Sequence, residues 1–152
     1  MTDLEYAREF FSKDVYATEV TGIRIDEVRD GYAKVSLAVD RRHVNAVGFV
    51  QGGVYLAMAD FAFAVASNYD RPLAVTLQSS ASFLHGAEGT VFTAEALCVE
   101  KGGHTCVYRV EITDELGTKI FLSTIHGYRL RPRDGRTEEE RKADPNPYSR
   151  WK

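Results

Sequence analysis

Apolar and polar residues follow two different periods along the chain, and these periods divide it into one long helix and several strands. Residues 52–68 are an apolar run without a polar stripe, which is typical of a helix buried on most of its sides. Residues 32–39 alternate between polar and apolar, the period of a strand with one buried face. The pattern predicts an α+β protein in which a sheet surrounds one central helix.

The remaining segments enlarge this sheet and add a short helix in front of it. Leu4, Ala7 and Phe11 lie at helical spacing and predict an amphipathic helix over residues 3–12. A hairpin turn is predicted at residues 30–31, an Asp-Gly pair. Further strands are predicted at residues 19–28, 73–84, 90–100, 105–113 and 118–130. Strands of this length around one early helix predict a strongly curved antiparallel sheet.

Length and composition fit a single domain with charged flanks. The chain has 152 residues, of which 44% are hydrophobic, enough for one hydrophobic core. After residue 130 the apolar periodicity ends, and three of the four prolines lie there among many charged residues. We therefore divide the chain into an N-terminal helical segment (1–18), a folded domain (19–130) and a charged C-terminal tail (131–152).

Charge and cysteine content exclude several classes of function. The net charge of −3 gives no electrostatic case for a nucleic-acid partner. The N-terminus lacks the basic and apolar parts of a signal peptide, and the apolar run is too short for a membrane span, so we expect a soluble cytoplasmic protein. Cys98 and Cys106 lack zinc-ligand or redox spacing; neighbouring strands could bring them close, but two buried free thiols are expected. We expect no metal site.

One acid stands out because of its surroundings. Asp60 is the only formally charged residue between Arg42 and Asp70, and it lies in the middle of the apolar run. A carboxylate is costly to bury unless it is paired, hydrogen-bonded or protonated. Helical spacing places Asp60 on one face with Gly53 and Leu56, pointing into an apolar wall. Such a position suits a general base or a nucleophile, although a structural buried acid has the same pattern.

The residues in front of the long helix supply hydrogen-bonding groups. Gly52 and Gly53 would begin the helix, where backbone N–H groups are unpaired and the helix dipole is positive. An oxyanion forming there would find donors already aimed at it, and glycine would let a substrate approach the backbone closely. Asn45 and Gln51 could hold a carbonyl or a water molecule. The two glycines also fit a plain loop-to-helix junction.

A longer pattern connects these residues: His43-x-Asn45-x-x-Gly48-x-x-Gln51-Gly52-Gly53, with Asp60 after six further residues. This pattern resembles the signature of hotdog-fold acyl-CoA thioesterases of the PaaI-like, or phenylacetic-acid-degradation, type. The similarity extends over roughly residues 19–130. The resemblance implies a hotdog fold, a curved antiparallel sheet wrapped around one central helix, and hydrolysis of an acyl-CoA thioester to a free acid and coenzyme A.

The resemblance also implies roles for individual residues. Asp60 corresponds to the catalytic carboxylate, acting as nucleophile or as base toward water. Gly52 corresponds to the residue whose N–H polarises the thioester carbonyl, and Asn45 to the side chain that orients the carbonyl or the water. Thr76 falls where the family often has a serine or threonine reaching in from the partner subunit. Gln51 departs from the family, which has histidine there, and glutamine cannot titrate near neutral pH.

The substrate and assembly follow from the same resemblance. Coenzyme A is part of the substrate and not a retained cofactor, and Lys101 and His104 could meet its phosphates. His43 and Gly53 are further candidates for substrate contact, although His43 also fits a loop-bracing role. The resemblance implies a homodimer or homotetramer with active sites at the subunit interface. The alternative, favoured by Gln51, is a non-catalytic acyl-CoA-binding or regulatory hotdog protein; a hydratase is disfavoured because no D-x-N-P-x-H segment is present.

Overall fold

A computed structural model describes residues 1–69, 73–130 and 137–143 of the chain. A six-stranded antiparallel sheet wraps around one long helix, which confirms the predicted α+β hotdog architecture. The helices and strands of the described residues are α1 (Asp3–Phe11), β1 (Arg24–Arg29), β2 (Tyr32–Ala38), α2 (Gly52–Asn68), β3 (Ala74–Phe83), β4 (Val91–Lys101), β5 (Thr105–Asp114), β6 (Lys119–Arg129) and α3 (Glu138–Ala143).

The strand order in the sheet is β1-β2-β4-β5-β6-β3, so the strand that directly follows the long helix lies at one edge. β3 pairs with β6 on one side only, and residues 75–83 of β3 are all exposed. An edge strand offers unpaired backbone N–H and C=O groups to another chain. The edge formed by β3 is therefore one of the two edges of this sheet, β1 being the other, and it is the one that lies next to α2 at Asp60.

The core lies between α2 and the concave face of the sheet. Ten of the seventeen residues of α2 are buried, as predicted for a helix covered on most sides. The helix approaches β6 so closely that a Cβ atom at Gly127 would lie 2.6 Å from Cζ of Phe63. The exposed residues of α2 form one stripe with Gly53, Leu56 and Asp60. This stripe and the inner face of β3 lie next to each other, because Asp60 bonds to Thr76 on β3.

The predicted strand at residues 19–28 is wrong in its first half. Residues Tyr16–Thr21 form a π-helical turn, closed by the Gly22 N–H donating to the Ala17 carbonyl at 3.1 Å, and β1 begins only at Arg24. β-Branched Val20 and Thr21 favoured a strand in the sequence. The turn forms instead because side chains of a later loop take up its carbonyl groups, a tertiary contact that local periodicity does not contain.

The flanks of the domain are described in part. α1 confirms the predicted N-terminal helix, with Thr2 and Glu5 forming a capping box at its start. Within the predicted tail the structure describes residues 137–143, which include α3. Residues 131–136 and 144–152, with Trp151 among them, lie outside the described residues. Cys98 and Cys106 are both free, Cys106 buried and Cys98 half-buried. In the described ranges, no helix is long and apolar enough to cross a membrane.

A buried carboxylate fixes the loop between β3 and β4. Asp114 is 5% exposed and accepts backbone N–H groups of Glu88 and Gly89 through one oxygen, and of Leu116 and Thr118 through the other. Burial alone would raise the pKa of Asp114, but the N–H groups of Gly89, Thr118 and Glu88 outweigh it and lower the pKa to about 2. The β3–β4 loop is thereby tied to the turn between β5 and β6.

This carboxylate predicts a stability change at acid pH. The pKa of Asp114 is lower in the folded chain than its ordinary value of 3.8, so its stabilising contribution is fully present above about pH 4 and is lost as pH falls toward 2. Asp114→Asn should lower the melting temperature at neutral pH and flatten the loss of stability between pH 4 and 2. Urea unfolding across this pH range tests this, with exposed Glu88→Gln in the same loop as control. Parallel pH profiles for wild type and Asp114→Asn would contradict it.

Candidate active site

The amino end of α2 presents one unpaired backbone donor. Gln51 is the N-cap residue, and its side-chain oxygen accepts a hydrogen bond from the Gly53 N–H. The Val54 N–H donates to the Gln51 carbonyl at 2.9 Å. For the Gly52 N–H no acceptor exists among the described residues, and it lies at the positive end of the helix dipole. Gly52 is therefore the donor that a developing negative charge would meet.

Gln51 takes a structural role that the sequence did not predict. Glutamine is uncommon as a helix cap, where shorter polar side chains are preferred. Here the Oε1 atom of Gln51 accepts the Gly53 N–H. If Gln51 also holds a carbonyl or a water molecule, as expected from the sequence, its amide nitrogen is the group that would do so. A Cβ atom at Gly53 would lie 2.7 Å from that oxygen, so the cap requires glycine at position 53 or a shift of the Gln51 side chain.

His43 is buried and uses both ring nitrogens within the fold. Its Nδ1 accepts the backbone N–H of Asp40 at 2.9 Å, which assigns the proton to Nε2, and Nε2 donates to the Thr21 carbonyl at 2.7 Å. The ring nitrogens are thus engaged in this conformation, and His43 holds the loop in front of α2 against the π-helical turn. Its contact with substrate stays a prediction.

Asn45 shapes the same loop. Its side-chain oxygen accepts the backbone N–H groups of Val47 and Phe49 at 3.0 and 3.1 Å. Gly48 has φ of +92°, a conformation that favours glycine, which allows the loop to turn back toward α2. The Asn45 side-chain nitrogen is the group left to orient a carbonyl or a water, the role that the resemblance implies.

Asp60 is exposed, and this corrects the expectation of a buried acid. It lies on the uncovered stripe of α2 and accepts a hydrogen bond from the Thr76 hydroxyl at 2.9 Å. Thr76 bonds Asp60 of its own chain, so these two side chains lie together, and the reach of Thr76 into the site of a partner subunit stays a prediction. Phe63 and Ser67, which follow Asp60 at helical spacing, are buried, because that part of the helix packs against the sheet.

The two halves of the predicted site do not meet within one chain. Gly52 and Asp60 are eight residues apart on α2, which is about 12 Å along the helix axis at about 1.5 Å per residue. A reacting carbonyl must lie about 3 Å from both the nucleophile and the oxyanion donor. Within one chain the candidate residues therefore form two separate groups, which we call half-sites: the N–H of Gly52 with Asn45, and the carboxylate of Asp60 with Thr76.

Lys101 lies away from the half-site formed by Asp60 and Thr76. Thr76, Gly127, Cys106 and Lys101 form a row across four strands, which places the backbone of Lys101 about 14 Å from that of Thr76. The Lys101 ammonium contacts the carboxylate of Asp30 at 3.0 Å. His104 stacks on Tyr128, with ring centroids 6.5 Å apart. Contact of either side chain with coenzyme A phosphates stays a prediction.

Two cavities flank the amino end of α2, and sequence reasoning missed both. One, of about 400 Å³, is lined by Tyr16 and Val20 of the π-helical turn together with residues of α2. The other, of about 490 Å³, is lined by Phe49, Tyr55 and Phe83 together with the loop after β3. The walls of both cavities come from segments that are far apart in sequence, so no local sequence pattern predicts them.

A curved antiparallel sheet around one central helix defines a hotdog-fold protein, and in this chain the helix carries an open amide at its start and a carboxylate on its exposed stripe. The chain belongs to the thioesterase superfamily, whose family model matches residues 47–121. It is 34% identical over 128 residues to a relative from Archaeoglobus fulgidus, covering 84% of this chain and 83% of that protein.

Relatives with named activities or ligands agree with this membership. The acyl-coenzyme A thioesterase PaaI of Escherichia coli strain K12 is 32% identical over 125 residues, covering 82% of this chain and 89% of that protein. The structure of E. coli PaaI aligns with a TM-score of 0.75 over 86% of this chain and 97% of that chain. A "Hypothetical Thioesterase Protein" of Streptococcus pneumoniae TIGR4, solved with coenzyme A, is 28% identical and aligns with a TM-score of 0.73, covering 80% and 94% of the two chains.

Proposed function

We propose that the protein hydrolyses acyl-CoA thioesters to a free acid and coenzyme A. The observation that carries this proposal is the unpaired Gly52 N–H at the start of the buried helix, with Asp60 exposed on the same helix. The acyl-CoA thioesterase PaaI of E. coli and the structure solved with coenzyme A support coenzyme A as the thiol part of the substrate.

The proposed chemistry requires no group beyond the substrate, water and these residues. The thioester carbonyl oxygen accepts the Gly52 N–H, which stabilises negative charge as the carbonyl carbon becomes tetrahedral. Asp60 either attacks this carbon directly or removes a proton from the attacking water. The C–S bond then breaks, and coenzyme A leaves as a thiolate that takes up a proton. When water is the attacking group this step releases the acid directly; when Asp60 attacks, it leaves an acyl anhydride on Asp60, which a water molecule hydrolyses to release the acid and restore the carboxylate. The Thr76 hydroxyl orients the Asp60 carboxylate throughout.

We further propose that a complete site needs two copies of the chain. The separation of about 12 Å between Gly52 and Asp60 is too long for one carbonyl to reach both within a chain. The open edge of β3 and the exposed stripe of α2 lie side by side, and Leu56 and Leu77 are exposed there at 43% and 61%. Pairing two chains at this surface would bring the Asp60 half-site of one copy to the Gly52 half-site of the other.

Thiol release from a panel of aromatic and aliphatic acyl-CoAs tests the proposed hydrolysis. The purified full chain should release free thiol from at least one member of the panel, with loss of the thioester absorbance at the same rate. A well-folded protein that turns over no member of the panel would overturn the proposal.

Subunit complementation tests the shared site. Gly52→Pro removes one half-site and Asp60→Asn removes the other, so each variant alone should be nearly inactive. Refolding an equal mixture should restore about a quarter of wild-type activity, because half of the randomly paired dimers are mixed and each of those has one intact site. If the mixture stays as inactive as its two components, the site does not combine half-sites of two chains.

The capping role of Gln51 supports a second candidate, an acyl-CoA-binding protein without turnover. The Gln51 side-chain oxygen accepts the Gly53 N–H, so of the two glycines only Gly52 has a backbone N–H available to a substrate. Calorimetric binding of a non-hydrolysable acyl-CoA analogue together with no thiol release from the parent ester would favour this candidate.

A further inference from the structure

The smaller of the two cavities has one apolar side, beside the amino end of α2. The π-helical turn contributes Tyr16 and Val20, and α2 contributes Val54 and Ala57. Its volume of about 400 Å³ falls within the range of about 300–1,000 Å³ that is usual for small-molecule sites. Tyr16 and Val20 are 66% and 57% exposed, so two large apolar side chains border open space here.

The wall formed by the π-helical turn is held in place by specific contacts. The carbonyl of Val20 accepts a hydrogen bond from the Arg42 guanidinium at 3.2 Å, and the carbonyl of Thr21 accepts one from His43 at 2.7 Å. π-Helical turns are rare and occur frequently at functional sites. The loop that carries the His43–Asn45 motif therefore also fixes the cavity wall.

The cavity provides no open charge to a ligand. Among the described residues that line the cavity, Arg42 is the only one of the types Lys, Arg, Asp and Glu. The Arg42 guanidinium contacts the Asp40 carboxylate at 2.9 Å. Both ring nitrogens of His43 are engaged, as described above. The remaining polar lining groups are uncharged, which suits an apolar ligand part better than a phosphate.

The cavity opens next to the proposed oxyanion donor. Gln51 and Gly53, the two neighbours of Gly52 in the chain, both line it. A carbonyl oxygen bound at the Gly52 N–H would therefore lie close to this cavity, within reach for the acyl part of the thioester to extend into it.

We infer that this cavity receives the acyl group of the thioester, and that Tyr16 and Val20 of the π-helical turn set the bulk of the acyl group that is accepted. The inference rests on the proposed hydrolysis and deepens it, because it assigns specificity to a segment outside the motif. The larger cavity on the other flank, with Phe49 and Phe83 in its wall, is the competing location for the same group.

Narrowing the cavity tests the inference. Val20→Trp should lower kcat/KM for octanoyl-CoA and phenylacetyl-CoA by about tenfold or more relative to acetyl-CoA, a range set by hydrophobic pocket discrimination. Val15→Trp is the matched control, because Val15 is also an exposed valine next to the turn, at 49%, but does not line the cavity. It should leave the substrate ratio at the wild-type value. Circular dichroism and melting temperature establish that both variants fold.

Each other outcome has a separate meaning. An unchanged substrate ratio in Val20→Trp overturns the inference while hydrolysis itself stands. A change of the ratio in Phe49→Ala but not in Val20→Trp also overturns it and moves the acyl group to the larger cavity. No turnover by the wild-type protein on any of the three esters overturns the proposed function and this inference with it.

Discussion

Asp60→Asn is expected to reduce kcat for acyl-CoA hydrolysis by about 10²–10⁴-fold, the usual contribution of a positioned acid or base. Asparagine keeps the shape of the side chain and can still accept the hydrogen bond of Thr76, but it can neither take a proton from water nor attack as a carboxylate. Because Asp60 is exposed in the single chain, the substitution removes no core contact and the fold should be retained.

The measurement is thiol release in the presence of excess acyl-CoA, made beside a melting curve and a sedimentation profile for each protein. Thr76→Val is an informative companion, since it removes the hydroxyl that orients Asp60 and should cost less activity than loss of the carboxylate. Undiminished turnover in a folded Asp60→Asn variant would show that another group performs the chemistry.

Gly52→Pro is expected to lower kcat by about 10²–10³-fold, the loss typical when one oxyanion donor is removed. Proline lacks the N–H but is favoured at the first helical position, so α2 can still begin there. The preceding Gln51 has φ −67° and ψ 130°, the extended conformation that a residue before proline adopts. The substitution thus deletes the donor without requiring a new backbone conformation.

Gly52→Ala is the matched control, because it adds a side chain and keeps the N–H. A Cβ atom at this position would lie 3.4 Å from Cε1 of Phe83, an ordinary contact, so alanine should fold and keep most of the activity. Steady-state kinetics on one good acyl-CoA decide between the two variants. Equal activities for Gly52→Pro and Gly52→Ala would mean that the amide of residue 52 does not stabilise the oxyanion.

Much of the fold could be predicted from periodicity. The long helix runs from Gly52 to Asn68 as predicted, because its unbroken apolar run is typical of a helix that is buried on most sides. The strands after it also lie close to their predicted positions, since each alternates and is bounded by turn residues. The π-helical turn was missed because carbonyl partners on Arg42 and His43, over twenty residues away, stabilise it.

For the candidate site, the sequence placed individual residues on their elements but did not give the contacts that those residues make in the fold. Spacing placed Asp60 and Gly52 on one helix, yet the burial of Asp60 could not be inferred, because an apolar helix face packs equally well against its own sheet or against another chain. Local pattern likewise showed a cap position at Gln51 without showing that its side chain would satisfy the Gly53 N–H. These outcomes depend on contacts between distant residues.

The proposed division of the site along α2 would make catalysis depend on protein concentration. If each complete site combines Gly52 of one copy with Asp60 of another, the fraction of working sites equals the fraction of associated chains and follows mass action. Dilution would then switch the protein off without any ligand or modification, and a substitution on the exposed stripe of α2 would alter activity through assembly even where it touches no substrate.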